Sequence, residues 1–271
     1  MTNQPALPFR YRAIWISDLH LGTKRCQTEL LLDFLRVTES RTLYLVGDIV
    51  DSWSLKKTWY WEQSHNDVIQ KLLRKARKGT RLVFIPGNHD ENFRDFVKLS
   101  FGRVRVLEEA VHVTATGKRY LVLHGDKFDG VVLHAKWLAL LGDRAYDVAL
   151  LLNRHLNRAR RALGLPYWSL SALLKRKVKQ AVQYISNFED AVVREARQRG
   201  AAGVICGHIH TPQMRFIGDV HYCNDGDWVE SCTALVETLD GKLELLNWAE
   251  MRALAGREVQ KLGLLSVSDQ A

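Results

Sequence analysis

Short apolar runs recur along the chain, and each ends in glycine or in polar residues. Five such runs end near residues 16, 46, 85, 123 and 206. Buried strands of a parallel sheet have this continuous apolar pattern. Between the runs, apolar residues follow helical spacing at Leu30, Leu31, Phe34 and Leu35, and again from Val68 to Ala76. The pattern therefore predicts strands that alternate with helices packed on a sheet.

The second predicted helix has an apolar face and a cationic face. Its cations are predicted to point outward and to form a solvated face; they are Lys71, Arg74, Lys75, Arg77 and Lys78. Positive charge is favourable near a helix C-terminus, and Gly79 is predicted to cap this one. Further along, residues 104–107 and 110–115 predict a β-ribbon that leads into the strand ending at His124. His112 and His221 are predicted to be structural, and residues 224–228 are predicted to form a turn.

Metal-competent side chains follow all five apolar runs. Ligands collect at the carboxyl ends of strands in α/β sheets, so these residues are expected to converge. The set contains nitrogen and oxygen donors and no thiolate, which suits Mn²⁺, Fe or Zn²⁺. Two ions about 3.5–4 Å apart need a bridging carboxylate, and Asp48 is predicted to bridge them. Asp18 and His20 are expected to point the same way on an extended chain.

Five motifs carry a family resemblance. D-x-H at Asp18, G-D-x-x-D at Asp48, G-N-H-D at Asn88, H-G-D at His124 and G-H-x-H at His208 occur in this order. Together they resemble the calcineurin-like metallophosphoesterases. The resemblance implies a four-layer α/β/β/α sandwich and metal-assisted phosphoester hydrolysis without a covalent enzyme intermediate.

The same resemblance implies a role for each site residue. Asn88, His124 and His208 are expected on the second metal and His210 on the first. His89 is expected to act as a cation or general acid beside the phosphoryl group, with Asp90 orienting it. The expected cofactor is a pair of divalent ions, with Mn²⁺ chosen for the hard donors and Fe or Zn²⁺ fitting the same residues; the predicted ligands are Asp18, His20, Asp48, Asn88, His124, His208 and His210.

The chain is expected to be one domain, residues 1–271, with a basic helical insertion, or lid, at about 130–185. From Val148 to Phe188 there is no Asp or Glu, but eight Lys and Arg residues. Such a helical pair suits anionic lipid; nucleic-acid binding and plain packing or an oligomer contact are the alternatives. Arg154, Arg158 and Arg161 are the expected substrate contacts in this lid.

Charge and targeting signals bear on location. The net charge of +9 favours an acidic partner. The four cysteines form no C-x-x-C pair, and residues 1–12 lack the apolar region of a signal peptide. No uncharged apolar stretch approaches the ~20 residues of a spanning helix. These features predict a cytoplasmic protein, and any attachment to a membrane is expected to be peripheral.

Within the family, the length, the insertion and the Gly-Asp-Trp block at Gly226 resemble the UDP-2,3-diacylglucosamine hydrolases of lipid A synthesis. That resemblance implies release of UMP and 2,3-diacylglucosamine 1-phosphate at the inner face of the cytoplasmic membrane. Better-known members carry Arg where this chain has His89, and Glu or another residue often stands where it has Asp51. The alternative is therefore a phosphodiesterase for another nucleotide-linked or nucleic-acid substrate. A non-catalytic scaffold is disfavoured because every ligand position is filled. The aromatic residues Trp53, Trp59, Tyr60 and Trp61 either stack on a base, line a lipid groove or cover a helix start.

Overall fold

The computed structural model describes residues 9–131, 163 and 170–255. The three arginines predicted in the lid, Arg154, Arg158 and Arg161, lie outside the described residues. The chain divides into two compact units, residues 1–126 with 193–271, and residues 127–192. The single domain with an insertion at about 130–185 stays a prediction.

Twelve strands form two sheets within the described part of the chain. The strands are β1 (Phe9–Ile16), β2 (Thr38–Val46), β3 (Arg81–Ile85), β4 (Ser100–Phe101), β5 (Val104–Val106), β6 (Ala110–Val113), β7 (Arg119–Val122), β8 (Gly203–Cys206), β9 (Gln213–Ile217), β10 (Val220–Asn224), β11 (Thr233–Glu237) and β12 (Leu243–Asn247). One sheet has the order β12-β11-β1-β2-β3-β5-β4, and the other has the order β6-β7-β8-β10-β9.

Helices flank and connect the strands. They are α1 (Thr28–Val37), α2 (Ser52–Lys57), α3 (Gln63–Arg77) and α4 (Leu170–Gln198), with 3-10 turns at Glu91–Phe96 and Asp126–Val131 and a helical segment at 248–255. No described helix combines the length and the apolar character that crossing a membrane requires. The predicted α/β class, with two sheets and flanking helices, is confirmed.

Parallel pairing aligns the strand ends that carry the polar residues. Ile16 of β1 lies opposite Leu45 of β2, and Val46 lies opposite Ile85 of β3. In the second sheet, Val122 of β7 lies opposite Ile205 of β8, again in parallel. Because paired parallel strands end at the same edge, the segments that follow them start side by side.

The two faces of the first sheet pack against different partners. On one face, α1 and α3 supply Phe34, Leu35 and Leu72 to a core that also includes Ile14 and Leu43. The opposite face is covered by the second sheet, and the core between the sheets includes Trp15, Tyr44, Val83, Tyr120, Val122 and Ile205. Successive side chains of one strand enter different cores because they point to opposite faces of the sheet.

The end of α4 is attached to the second sheet. The Arg197 guanidinium pairs with Asp219, in the turn between β9 and β10, at 2.6 Å. The N–H of Ala202 donates to the carbonyl of Arg119 in β7, and the N–H of His221 in β10 donates to the carbonyl of Ala202. The chain therefore enters β8 between the two strands that flank it.

Two expectations about residues 104–115 have different outcomes. The predicted β-ribbon is wrong, because β5 pairs in parallel with β3 in the first sheet whereas β6 pairs with β7 in the second. His112 is a packed structural residue, as predicted. Its Nε2 lies 2.8 Å from Oε2 of Glu237, and its Nδ1 lies 3.2 Å from the hydroxyl of Tyr44.

Glu237 ties the two sheets together from a fully buried position. Besides His112, its carboxylate accepts hydrogen bonds from Arg12 Nε at 3.2 Å and from the N–H of Ala115 at 2.7 Å. Burial lowers the pKa of His112, and the charge of Glu237 acts in the opposite direction. Removing this carboxylate would leave a buried imidazole, a guanidinium and an amide without their acceptor.

We expect Glu237→Ala to lower the free energy of unfolding by about 3 kcal/mol, because it breaks a buried charged network. Urea unfolding followed by circular dichroism measures the change. Glu244→Ala, at a half-buried carboxylate in β12, is the control and should cost less than about 1 kcal/mol. Equal stability of the two variants would show that the Glu237 network does not hold the sheets together.

Candidate metal centre

The candidate ligands do not continue their strands. Asp18, His20, Asp48, His208 and His210 all have left-handed backbone angles, with φ between 48° and 72°. The expectation that Asp18 and His20 lie on an extended chain is therefore wrong, because β1 ends at Ile16 before either of them. Non-glycine residues rarely adopt positive φ, and such strain is concentrated at functional sites.

Backbone hydrogen bonds hold these turns against one another. The N–H of Asp18 donates to the carbonyl of Gly47 at 3.0 Å, and that of His20 donates to the carbonyl of Asp48 at 2.9 Å. The two aspartates thus sit in interlocked loops that follow neighbouring strands. Interlocking allows the surrounding structure to maintain the unfavourable backbone angles.

In each of the two aspartates, one carboxylate oxygen accepts a hydrogen bond from a backbone N–H group and the other does not. Asp18 Oδ2 accepts from the N–H of His208 at 2.9 Å, and Asp48 Oδ1 accepts from the N–H of His89 at 2.9 Å. Asp18 Oδ1 and Asp48 Oδ2 are buried and accept no aligned hydrogen bond among the described residues, although Nε2 of His210 lies 2.9 Å from Asp18 Oδ1. Buried polar atoms normally have partners, so these oxygens fit a ligand that neutralises them.

Among the described residues, the side chains form three groups, within each of which one donor atom per residue lies within 4.8 Å of the others. His20, Asp51 and His89 make one of them. The two ligand groups are Asp18, His20 and His210, and Asp48, His124 and His208. His210 Nε2 lies 2.9 Å from Asp18 Oδ1. These groupings are those expected for the first and second metals, and the individual ligand roles stay predictions.

Asp48 lies between the groups. Its Oδ1 is 3.5 Å from Nε2 of His124, and its Oδ2 is 3.8 Å from Nε2 of His20. Each carboxylate oxygen therefore faces a different group, an arrangement that suits a bridging carboxylate.

Outer contacts orient two of the imidazoles. His20 Nδ1 lies 3.1 Å from Oδ2 of Asp51, and His124 Nδ1 lies 2.8 Å from the carbonyl of Val46. Both contacts leave Nε2 to face the aspartates. Metal-binding histidines are commonly oriented through the other ring nitrogen in this way.

Asn88 completes a donor set that suits hard or borderline divalent ions. Its Oδ1 is buried without a hydrogen-bond partner among the described residues, and so is Nε2 of His124. Carboxylate, amide and imidazole donors fit Mn²⁺, Fe or Zn²⁺. The residues therefore fit the pair of divalent ions that the sequence predicts.

The charges of the site residues also favour the binding of cations. Burial acts to raise the pKa of both Asp18 and Asp48, but the imidazoles beside them, chiefly His210 for Asp18 and His124 for Asp48, lower each pKa overall. Burial acts to lower the pKa of His124, but the charge of Asp48 raises it to about 10. Buried carboxylates held in the ionised form attract cations, and a metal ion competes with the proton on such an imidazole.

Two glycines permit this close packing. A Cβ at Gly47 would overlap the imidazole of His124, and one at Gly87 would overlap both Asp48 and His124. Gly47 also has a φ of 81°, which glycine adopts without strain. The glycines of the two motifs therefore provide space for the ligand side chains.

His89 stands beside the ligand groups and is partly exposed, with 21% of its side chain accessible. Its Nδ1 lies 3.1 Å from Oδ1 of Asp51, a close contact by distance rather than an aligned hydrogen bond. The ring of Trp53 lies 4.4 Å from the His89 ring, centroid to centroid. Asp51 thus contacts both His20 and His89. It is the second aspartate of the G-D-x-x-D motif, but sequence reasoning assigned it no role.

The expectation that Asp90 orients His89 is wrong. The Asp90 carboxylate is fully buried and accepts hydrogen bonds from backbone amides, namely those of Asp48, Ile49, Val50 and Gly87. It fixes the loop that carries Asp48. Burial, together with the nearby charge of Asp48, raises the pKa of Asp90 to about 6.

The segment of residues 224–227, where β10 ends, has a second role that sequence reasoning missed. The residue types here predict a turn, and the structure adds that Asn224 and Asp225 are fully buried. Asn224 Nδ2 donates to the carbonyl of Gly207 at 2.7 Å, and Ser17 Oγ donates to Asp225 Oδ1 at 2.8 Å. This segment joins the Asp18 loop to the His208 loop. An Asn-Asp-Gly run is common in turns, so its composition gave no signal of this role.

We expect Asp48→Asn to lose bound metal and phosphodiester hydrolysis while retaining the fold, because Asn tolerates positive φ but cannot supply the bridging charge. Metal content by mass spectrometry and hydrolysis of bis(p-nitrophenyl) phosphate are the two measurements. Asp95→Asn, at an exposed aspartate, is the control. Wild-type metal content and rate in Asp48→Asn would refute the bridging assignment.

We expect Asp51→Asn and Asp90→Asn to differ. Asp51→Asn keeps an acceptor for the N–H of Ser54, so the start of α2 is preserved, but it removes the charge beside His20 and His89. Its rate should fall at least about tenfold with little change in melting temperature.

Asp90→Asn places an amide donor against backbone N–H groups and should lower the free energy of unfolding by about 1–3 kcal/mol. Thermal unfolding and bis(p-nitrophenyl) phosphate hydrolysis, measured on both variants, separate the two roles. An Asp90→Asn protein as stable as the wild type would contradict the loop-fixing role.

Comparison with known proteins bears on what this centre does. A UDP-2,3-diacylglucosamine hydrolase of Xanthomonas campestris pv. campestris (strain B100) is 30% identical over 246 residues, covering 84% of this chain and 96% of that protein. A UDP-2,3-diacylglucosamine hydrolase of Chromohalobacter salexigens is 29% identical over 204 residues, covering 73% of this chain and 80% of that protein.

Among solved structures, a novel archaeal phosphodiesterase covers 86% of this chain and 98% of its own at 11% identity, with a TM-score of 0.40. A score of this size adds nothing to the assignment. The profile described as calcineurin-like phosphoesterase matches residues 11–212. Because this match spans most of the 271 residues, the chain belongs to the calcineurin-like phosphoesterase family and is a metal-dependent phosphoesterase.

Proposed function

We propose that the protein hydrolyses the pyrophosphate bond of UDP-2,3-diacylglucosamine, with UMP and 2,3-diacylglucosamine 1-phosphate as products. The similarity to relatives named for this activity, over most of both chains, supports the substrate. The observation that carries the chemistry is the placement of Asp48 between two groups of ligand side chains.

Divalent ions, for which we propose Mn²⁺, would supply charge neutralisation at the phosphoryl group and a nucleophile at neutral pH. Asp18, His20 and His210 would hold one ion, and Asn88, His124 and His208 would hold the other, with Asp48 shared. His89 presents Nδ1 to Asp51, so its Nε2 faces away from Asp51 and is the nitrogen that would give a proton to the leaving oxygen.

Apolar surface beside His89 supports a large amphipathic substrate. Trp53 is 40% exposed and packs against His89, while its Nε1 donates to Glu91 at 3.3 Å. Phe93 and Phe96 lie in the 3-10 turn that follows His89 in sequence, contact each other, and are 38% and 45% exposed. We propose that this surface accommodates the apolar part of the substrate and that Arg154, Arg158 and Arg161 contact its anionic part.

We further propose that the protein acts in the cytoplasm, peripherally on the inner face of the cytoplasmic membrane, where a nucleotide-linked lipid would be presented. The second candidate is a phosphodiesterase for another nucleotide-linked or nucleic-acid substrate. His89 favours that candidate, because better-known UDP-2,3-diacylglucosamine hydrolases carry Arg at this position. A non-catalytic scaffold is disfavoured by the complete donor set.

The test is UMP release from UDP-2,3-diacylglucosamine by the purified protein with Mn²⁺, beside bis(p-nitrophenyl) phosphate. We expect rapid UMP release that Asp48→Asn abolishes. Hydrolysis of the small diester alone would support the second candidate and overturn the proposed substrate.

Two tryptophans provide a matched pair for the apolar surface. We expect Trp53→Ala to lower kcat/KM for the lipid substrate about tenfold, because it removes an aromatic contact beside His89. Trp59→Ala should change kcat/KM less than about twofold, since Trp59 is 76% exposed and packs only against Trp61 among the aromatic contacts of the described residues. Equal effects of the two changes would exclude a specific role for Trp53.

A further inference from the structure

A cationic cleft lies at the end of the first sheet opposite the metal centre. It forms where β1 and β2 begin and α3 ends, and its volume is about 720 Å³. The metal centre follows the carboxyl ends of the same strands. Because β1 has eight residues, the cleft and the metal centre are separated by about 25 Å along the strand direction.

The cleft is lined almost entirely by one sign of charge. Arg10 pairs with Glu39 at 3.5 Å, and Glu39 is the only carboxylate among the lining residues. Six further cations line the cleft and have no carboxylate partner by ion-pair distance among the described residues; they are Arg36, Arg41, Lys71, Arg74, Lys75 and Lys78. A smaller adjoining cavity shares Arg36, Lys71 and Arg74, and its lining also includes the carboxylate of Asp67.

Lys75 corrects the prediction that this cationic face is simply solvated. Only 8% of the residue is exposed, and its ammonium group donates to the carbonyl of Thr38. Burial lowers the pKa of Lys75 to about 8, and the neighbouring charge of Lys71 acts in the same direction. Because this buried ammonium has one acceptor among the described residues, it has N–H groups left for a ligand.

The cations also repel one another. Burial lowers the pKa of Lys71, and the charges of Lys78, Arg74 and Arg36 lower it further. A favourable position near a helix C-terminus accounts for Arg36 at the end of α1 and for Arg74 and Lys75 at the end of α3. It does not account for cations from α1, β2 and α3 that face one cavity around a buried lysine. An anion in the cleft would relieve this repulsion.

The chemistry of the cleft indicates the class of ligand. Guanidinium groups recognise phosphate oxygens in pairs, and ammonium groups add point charges. Six cations exceed what one phosphate needs, and the volume suits a small molecule rather than a macromolecule. We propose that this cleft binds a compound with two or more phosphate charges, either as a free small molecule or as a lipid head group, at a site separate from the metal centre.

Binding of inorganic pyrophosphate, measured by isothermal titration calorimetry on the full chain, tests the proposal. We expect Lys71→Glu/Arg74→Glu to weaken binding at least about tenfold, because two attractive charges become repulsive. The control Arg77→Glu/Arg105→Glu makes the same charge change at exposed residues outside the cleft, one of them on the same turn of α3. It should alter binding less than about twofold.

Asp48→Asn separates this site from the metal centre, since binding in the cleft should survive that change. A second arm measures binding to phosphatidylcholine vesicles with and without phosphatidic acid. Pyrophosphate binding with the expected variant pattern supports a free ligand, and the same pattern seen only with phosphatidic acid supports a lipid head group. No binding in either arm, equal loss in the control, or loss in Asp48→Asn overturns the proposal.

Should Lys71→Glu/Arg74→Glu have an altered circular dichroism spectrum, Arg36→Gln/Arg41→Gln replaces it. These changes remove charge without reversing it and lie on α1 and β2 rather than α3. The same two probes and the same criteria apply. Unchanged binding in a folded Arg36→Gln/Arg41→Gln protein would overturn the proposal.

Discussion

The structure around the candidate metal centre depends on how the carboxylate of Asp48 is held. Asp90 accepts hydrogen bonds from the amides around Asp48, the N–H of His89 fixes one Asp48 oxygen, and Gly47 and Gly87 leave space for the group beside it. The remaining oxygen points at His20. Burying an unpaired charge costs free energy, so these contacts and the neighbouring imidazoles together stabilise the buried Asp48 carboxylate.

Three aspartates near one another have separate tasks because their surroundings differ. Asp48 faces imidazoles from both ligand groups, and its pKa is lowered. Asp90 faces backbone amides and the charge of Asp48, and its pKa is raised. Asp51 contacts the two imidazoles of His20 and His89 while its other interaction starts α2, and its pKa is also lowered. The type of partner, and not the type of residue, decides what each carboxylate does.

Both ends of the parallel strands carry concentrated charge, but of different kinds. At the carboxyl ends, carboxylates and imidazoles are mixed and suit cations. At the amino ends, arginine and lysine dominate and suit anions. Strand polarity separates the two regions by the length of β1, so each can bind its own ligand without direct contact between the ligands.

The sequence by itself determined the apolar strands, the helices α1 and α3, and the set of residues that meets at the strand ends. Continuous apolar runs, helical spacing and five motifs in order are local signals, so they could be read without coordinates. The parallel register of β1, β2 and β3 then brought Asp18, Asp48 and Asn88 to one edge, as strand polarity requires.

Tertiary structure alone decided the contacts that depend on backbone turns and on distant segments. Left-handed angles at Asp18 and His20 replaced the expected extended chain, and Asp51 instead of Asp90 came to lie beside His89. The burial of Lys75 and of Asn224 also depended on neighbours far away in sequence. Such contacts are set by the packing of separate elements, and no local pattern of residue types encodes which of two nearby carboxylates will reach an imidazole.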